Sequence, residues 1–170
     1  MTRSSPARLS RELMAIIPET DVKTKHCRLL LADGTLHQDK RQVKAVVTSL
    51  ARFFAVDLVA LRQRCSEVVR AKNYLPLPLS PELILVPLAL SPVPPPTGYV
   101  NLNYVTGMEK NGDKGKVILA GDHELICYQS FQSLRTRFLA AKAALAVNLF
   151  SSPGISGQKL ELIRVILTGE

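Results

Sequence analysis

Arg41, Lys44, Thr48 and Arg52 recur at i, i+3, i+7 and i+11, the spacing of one helical face. Val43, Val46, Val47, Leu50 and Phe54 occupy the opposite, apolar face. A solvated helix face usually mixes signs through i,i+4 pairs. This stripe carries no acid, so the chemistry open to it is contact with the phosphates of a polyanion. A plain solvated face is the alternative. Lys40 precedes the stripe. Arg62, Arg64, Arg70 and Lys72 follow it in or just beyond a second helical segment. Arg135 and Lys142 lie together on the flank of a later helix, with Arg137 on its other side.

Other site chemistries lack their residues. No Gly-rich loop leads from a strand into a helix, so a phosphate-cradling nucleotide site is not expected. There is no CxxC pair, and His26, Cys27 and His37 have no zinc-site spacing. A Cys/His nucleophile pair would need a third group to orient the base, and none stands out. The expectation is no catalytic residue, no metal, no cofactor and no small-molecule substrate. Enzymatic function is the least favoured class.

The charge distribution agrees with a polyanionic partner. The 170 residues carry a net charge of +8. Residues 1–72 hold 14 Lys and Arg against 7 Asp and Glu, whereas residues 73–170 hold 8 against 7. A one-sided positive field suits nucleic acid or an anionic membrane surface. Three widely spaced cysteines, Cys27, Cys65 and Cys127, argue against a disulfide framework and fit a reducing cytoplasm. Leu83 to Met108 holds no charged residue, but Pro87, Pro92, Pro94, Pro95 and Pro96 rule it out as a spanning helix.

The elements that must position the basic residues can be read in order. Residues 1–11 read as a basic, weakly ordered arm. Leu13–Ile17 reads as a strand closed by Pro18. His26–Leu31 and Thr35–His37 flank Asp33-Gly34, a dipeptide that favours a type I′ hairpin turn. Arg41–Phe54 forms the basic helix, Ala55-Val56 a break, and Asp57 caps a helix to about Val69. Leu50, Ala51, Phe54, Ala55, Val56 and Leu61 make the pair similar to a helix-turn-helix. The turn residue that is usually glycine is Ala55, and such pairs also occur in proteins that never touch DNA.

Tyr74 to Val105 holds eight of the eleven prolines. Pro76, Pro78 and Pro81 give an extended lead-in. Leu83–Leu90 reads as a strand covered on both faces, with Pro87 marking a bulge or an edge. Ser91–Thr97 is a stiff connection. Tyr99–Val105 reads as a half-buried strand with Asn101 and Asn103 on its outer face, where packing or turn roles compete with contact to base edges. Glu109–Gly115 reads as a loop. Lys116–Ala120 and His123–Tyr128 form a hairpin about Gly121-Asp122. Ser130 caps the helix Phe131–Phe150, and Gln158–Leu167 is a short apolar helix. The fold class is α+β in one domain, an antiparallel β-sheet from Leu83 onward packed with helices, with the helix pair beside it.

This order of features resembles the ComK family of competence transcription factors. The residues that carry it are Arg52-Phe53-Phe54, then Arg62 and Arg64, then Leu75-Pro76 through Ile84-Leu85-Val86-Pro87. Gly98-Tyr99-Val100 follows, then Tyr128-Gln129-Ser130-Phe131 with Arg135-Thr136. The resemblance spans roughly Cys27 to Ala144. It implies a cytoplasmic, DNA-binding activator of genes for DNA uptake. Such a protein acts on A/T-rich boxes of double-stranded DNA with minor-groove and phosphate contacts, as a homo-oligomer. The residues expected at DNA are Lys40, Arg41, Lys44, Arg52, Arg62, Arg64, Arg70, Lys72 and Arg135. The alternative is a regulator that keeps this fold, does not bind DNA, and presents the uncharged stretch and the C-terminal helix to protein partners.

Overall fold

A computed structural model describes residues 5–150 apart from 22, 24 and 95, with side chains through Ala146. At its centre lies β1 (Leu13–Pro18), every residue of which is buried. It belongs to a six-stranded antiparallel sheet with β2 (Cys27–Leu31), β3 (Leu36–Asp39), β4 (Leu77–Ser80), β5 (Leu83–Ala89) and β6 (Thr97–Asn101). The strand order is β3-β2-β1-β6-β5-β4. The expected α+β class therefore stands. The sheet does not begin at Leu83, however. β1 pairs with β6 through Ala15 and Val100, and four of the six strands, β1 to β4, precede Leu83.

Both sheet faces are covered, which accounts for strands that are apolar on both sides. Leu13, Ile16, Leu29, Leu31, Leu83 and Leu85 face one core together with α1 (Pro6–Glu12), α2 (Val43–Phe53) and α3 (Leu58–Val69). Met14, Ala15, Ile17, Leu30, Val86 and Leu88 face a second core. That core is closed by a three-stranded sheet of β7 (Val105–Asn111), β8 (Lys114–Leu119) and β9 (His123–Cys127), and by α4 (Phe131–Phe150). Leu134, Phe138 and Ala141 anchor α4 there, while Ala144 reaches the first core.

Several expectations need correction. From Pro6 onward the basic arm is a docked helix. Ser5 accepts a hydrogen bond from the Arg8 amide at 3.3 Å, Pro6 opens the first turn where its missing N–H has no helical partner to lose, and Leu9 is buried. Residues 1–4 and the expected helix Gln158–Leu167 lie outside the described residues. The loop at Asp33-Gly34 is not type I′, because only Gly34 takes positive φ, at 85°. Leu31 instead donates to the Thr35 carbonyl across a longer loop, at 3.0 Å. The proline lead-in is partly a strand, β4, which pairs with β5.

Pro87 lies in a strand flanked on both sides, without a bulge in its register to β6. β4 pairs with β5 only as far as Leu85, so Pro87 meets an open edge where its missing N–H leaves no ladder bond unmade. Arg137 Nη1 donates to the Pro87 carbonyl there at 2.9 Å. Gln129 Oε1 accepts from the Ala89 amide at 2.7 Å.

The strand expected over Tyr99–Val105 breaks at Asn101. Its Oδ1 accepts from the Asn103 amide at 3.2 Å and caps a single 3-10 turn, Leu102–Tyr104, that carries the chain into the second sheet. The expected Glu109–Gly115 loop is mostly hairpin, turning at Gly112 with φ 66°. Its charged residues suit a half-exposed sheet. Lys116 there reaches Glu109 at 3.2 Å and Glu124 at 3.1 Å on the two neighbouring strands.

Candidate nucleic-acid interface

The basic stripe is held outward by what the same helix buries. Val46, Val47, Leu50 and Ala51 of α2 are in the core. Rotated away from them, Lys44 and Arg52 are exposed. With Pro6 of α1, they line an open groove of about 1010 Å³ whose other walls include Lys40, Arg41, Gln42, Thr48, Ser49 and Phe53. No acidic side chain lines it. Lys40, Lys44 and Arg52 have no carboxylate partner among the described residues.

Arg41 differs from the other three. Its Nη2 lies 2.6 Å from Asp39 Oδ2, its Nε donates to Oδ1 at 2.9 Å, and its backbone N–H donates to the same Oδ1 at 2.9 Å. The hydrogen bonds that Arg41 donates to Asp39 raise the Arg41 pKa and burial opposes them. The guanidinium is therefore neutralised in place, and Arg41 is a structural residue at the entry to α2. Asp39 lies outside the helical period of the stripe because it stands before the helix, at the end of β3.

The helix pair follows the expected local chemistry. Asp57 caps α3 by accepting from Val59 N–H at 2.9 Å and Ala60 N–H at 3.1 Å. Ala55 takes φ 54°, the left-handed conformation for which glycine is usual. The remaining expected contacts stand apart from the groove. Arg62 is half-buried beside Tyr99, whose hydroxyl pKa is raised by burial and partly lowered by that guanidinium. Arg64, Lys72 and Arg135 are exposed on α3, the following loop and α4. Arg70 forms the C-cap of α3 at φ 56°.

Asn101 and Asn103 take the packing and turn roles, although Asn101 faces inward where an outer face was expected. Asn101 is 0% exposed, and its Nδ2 donates to the Leu13 and Glu82 carbonyls at 3.0 and 3.1 Å. It is a structural amide, not a reader of bases. Asn103 is exposed but donates to the Pro81 carbonyl at 2.9 Å. Phe53, in contrast, was legible only as a family marker. It is 49% exposed at the groove's end, edge-on to Phe54 with ring centroids 5.1 Å apart. No group of His, Cys, Asp and Glu among the described residues is placed to hold a metal ion. No described helix is long and apolar enough to cross a membrane.

Compared with family models, curated proteins and solved structures, the chain matches none.

Proposed function

We propose that the chain binds A/T-rich double-stranded DNA through the α2 groove, as a transcription activator of the competence type acting as a homo-oligomer. The observation that carries DNA contact is the set Lys40, Lys44 and Arg52, exposed on one groove without a carboxylate partner among the described residues. Lys44 and Arg52 share one face of α2 and Lys40 stands just before its first turn, so together they offer phosphates a row of charge along the groove. Thr48, Ser49 and Gln42 add neutral hydrogen-bonding groups between them. Arg64, Lys72 and Arg135 serve as outlying phosphate contacts, and Phe53 supplies an apolar contact at the groove's end. The class of activator rests on the resemblance to ComK alone.

The test is fluorescence anisotropy with a labelled A/T-rich duplex over a salt series. Each cation that neutralises a phosphate contributes about one to the slope of log K against log salt. The groove's three unpaired cations should therefore supply a slope of about −3. Absence of binding at low salt would overturn the reading. In the rival role as a protein-binding regulator, Leu83–Leu88 would offer no surface because it is buried on both faces of the sheet, and the exposed Pro92, Pro94, Pro96 and Asn103 would have to serve instead.

A further inference from the structure

We propose that a second pocket, between the Ser91–Thr97 connection and α4, binds a small organic phosphate of mononucleotide size. The pocket holds about 510 Å³, within the range of small-ligand sites. Its walls include Tyr74, Pro92, Pro96, Lys114, Tyr128 and Arg137, and no acidic side chain lines it.

Arg137 is the half-buried cation of this pocket. It stands on α4, its guanidinium carbon lies 3.8 Å from the Tyr74 ring centroid, and Nη1 donates to the Pro87 carbonyl. Its Nε and Nη2 have no partner among the described residues, and no carboxylate pairs with it. Burial accordingly depresses its pKa. A half-buried charge without a counter-charge is costly, and an anion in the pocket would offset that cost. Lys114 adds a second cation, with Nζ 4.8 Å from the Tyr128 ring centroid.

The surroundings are built around this arrangement. Tyr74 holds φ 56°, a conformation that is strained for a bulky residue. Strain of this kind collects at ligand clamps, and here it sets the ring against the guanidinium. Pro92 and Pro96 give flat apolar walls suited to a sugar or base ring, while Arg137 and Lys114 suit phosphate. The site is separate from the α2 groove, with which it shares no lining residue.

The experiment is calorimetric titration of the full chain with adenosine monophosphate, ribose 5-phosphate and inorganic phosphate. Adenosine monophosphate should bind, and Lys114→Ala should weaken it about tenfold. Arg137→Gln should abolish measurable binding. Because Arg137 also supports Pro87, its variant is compared with wild type by circular dichroism, and the exposed Lys114 variant carries the test if it unfolds. Lys44→Ala with Arg52→Ala should leave the nucleotide affinity unchanged, whatever it does to DNA binding. Lys114→Ala should leave DNA anisotropy unchanged. No heat with adenosine monophosphate up to about 5 mM would overturn the proposal. Binding insensitive to Lys114→Ala, or lost in the α2 double variant, would overturn it as well. Inorganic phosphate binding as tightly as the nucleotide would overturn the role given to the proline walls.

Discussion

Arg41 lies across Asp39 with two side-chain contacts, Nε to Oδ1 at 2.9 Å and Nη2 to Oδ2 at 2.6 Å. The side chains are 16% and 4% exposed, so the pair is screened from solvent far more than a surface ion pair. It divides the basic stripe into one residue that holds the fold and others left for a ligand. Arg41→Ala should lower stability by about 2 kcal/mol in urea denaturation, by removing the counter-charge and two side-chain hydrogen bonds of a nearly buried carboxylate. The salt slope for DNA should stay within error of wild type. Lys44→Ala should do the reverse, reducing the slope by about one and changing stability by less than about 0.5 kcal/mol. Asp39→Asn should steepen the slope by releasing the Arg41 charge.

The turn between α2 and α3 stores strain that one substitution can remove. Ala55 is exposed at φ 54°, so no packing is lost on replacing it. Ala55→Gly should raise stability by about 0.5–1 kcal/mol, because relief of the left-handed penalty outweighs glycine's extra unfolded-state entropy. Ala55→Val should lower it, since a β-branched residue tolerates this conformation least. Thermal melts of the two variants should move in opposite directions, and a lower melting point for the glycine variant would contradict the strain argument.

Asn101, at the end of β6, ties together the two strands that flank it, β1 and β5. Its Oδ1 accepts from the Ile84 amide at 3.3 Å and its Nδ2 reaches the Leu13 carbonyl across 88 residues of chain. Asn101→Ala should leave these backbone groups unpaired in a buried site and cost about 3 kcal/mol. Asn103→Ala removes one exposed bond and should cost less than about 1 kcal/mol. Chemical denaturation of the two variants side by side checks the contrast.

The cysteines respond to pH in a defined direction. Burial pushes the Cys27 and Cys127 thiols up to about 12 and the Cys65 thiol to about 11, from an ordinary 9.0. The unfolded chain thus loses these protons at lower pH than the folded chain. The stability they contribute is fully present below about pH 9 and falls as pH rises from there toward 11–12. Urea midpoints should decline over that window, less so in Cys127→Ala after its own cavity cost is subtracted. At pH 8 the folded chain should react slowly with a thiol reagent, and all three cysteines quickly once unfolded.

Local patterns were legible in the chain itself. The 3.6-residue period placed α2, Asp57 marked the cap of α3, and the doubly apolar run from Leu83 announced a strand with both faces covered. These depend on contacts a few residues apart or on a burial pattern each strand carries alone. Three features were decided only by the tertiary structure. The pairing of Ala15 with Val100 placed the N-terminal strands at the centre of the large sheet, and no local preference encodes so distant a partner. The Asn101 side chain turned an alternating stretch into the end of one strand and the start of another, because its partners, Leu13 and Glu82, come from elsewhere in the chain. Packing likewise set the fate of each basic residue. The end of β3 brings Asp39 to Arg41, α4 lays Arg137 over Tyr74, and the groove beside α1 leaves Lys40, Lys44 and Arg52 open to solvent. Sequence spacing assigns a charge to a face, but whether that charge meets an acid, a ring or water depends on which elements the fold brings beside it.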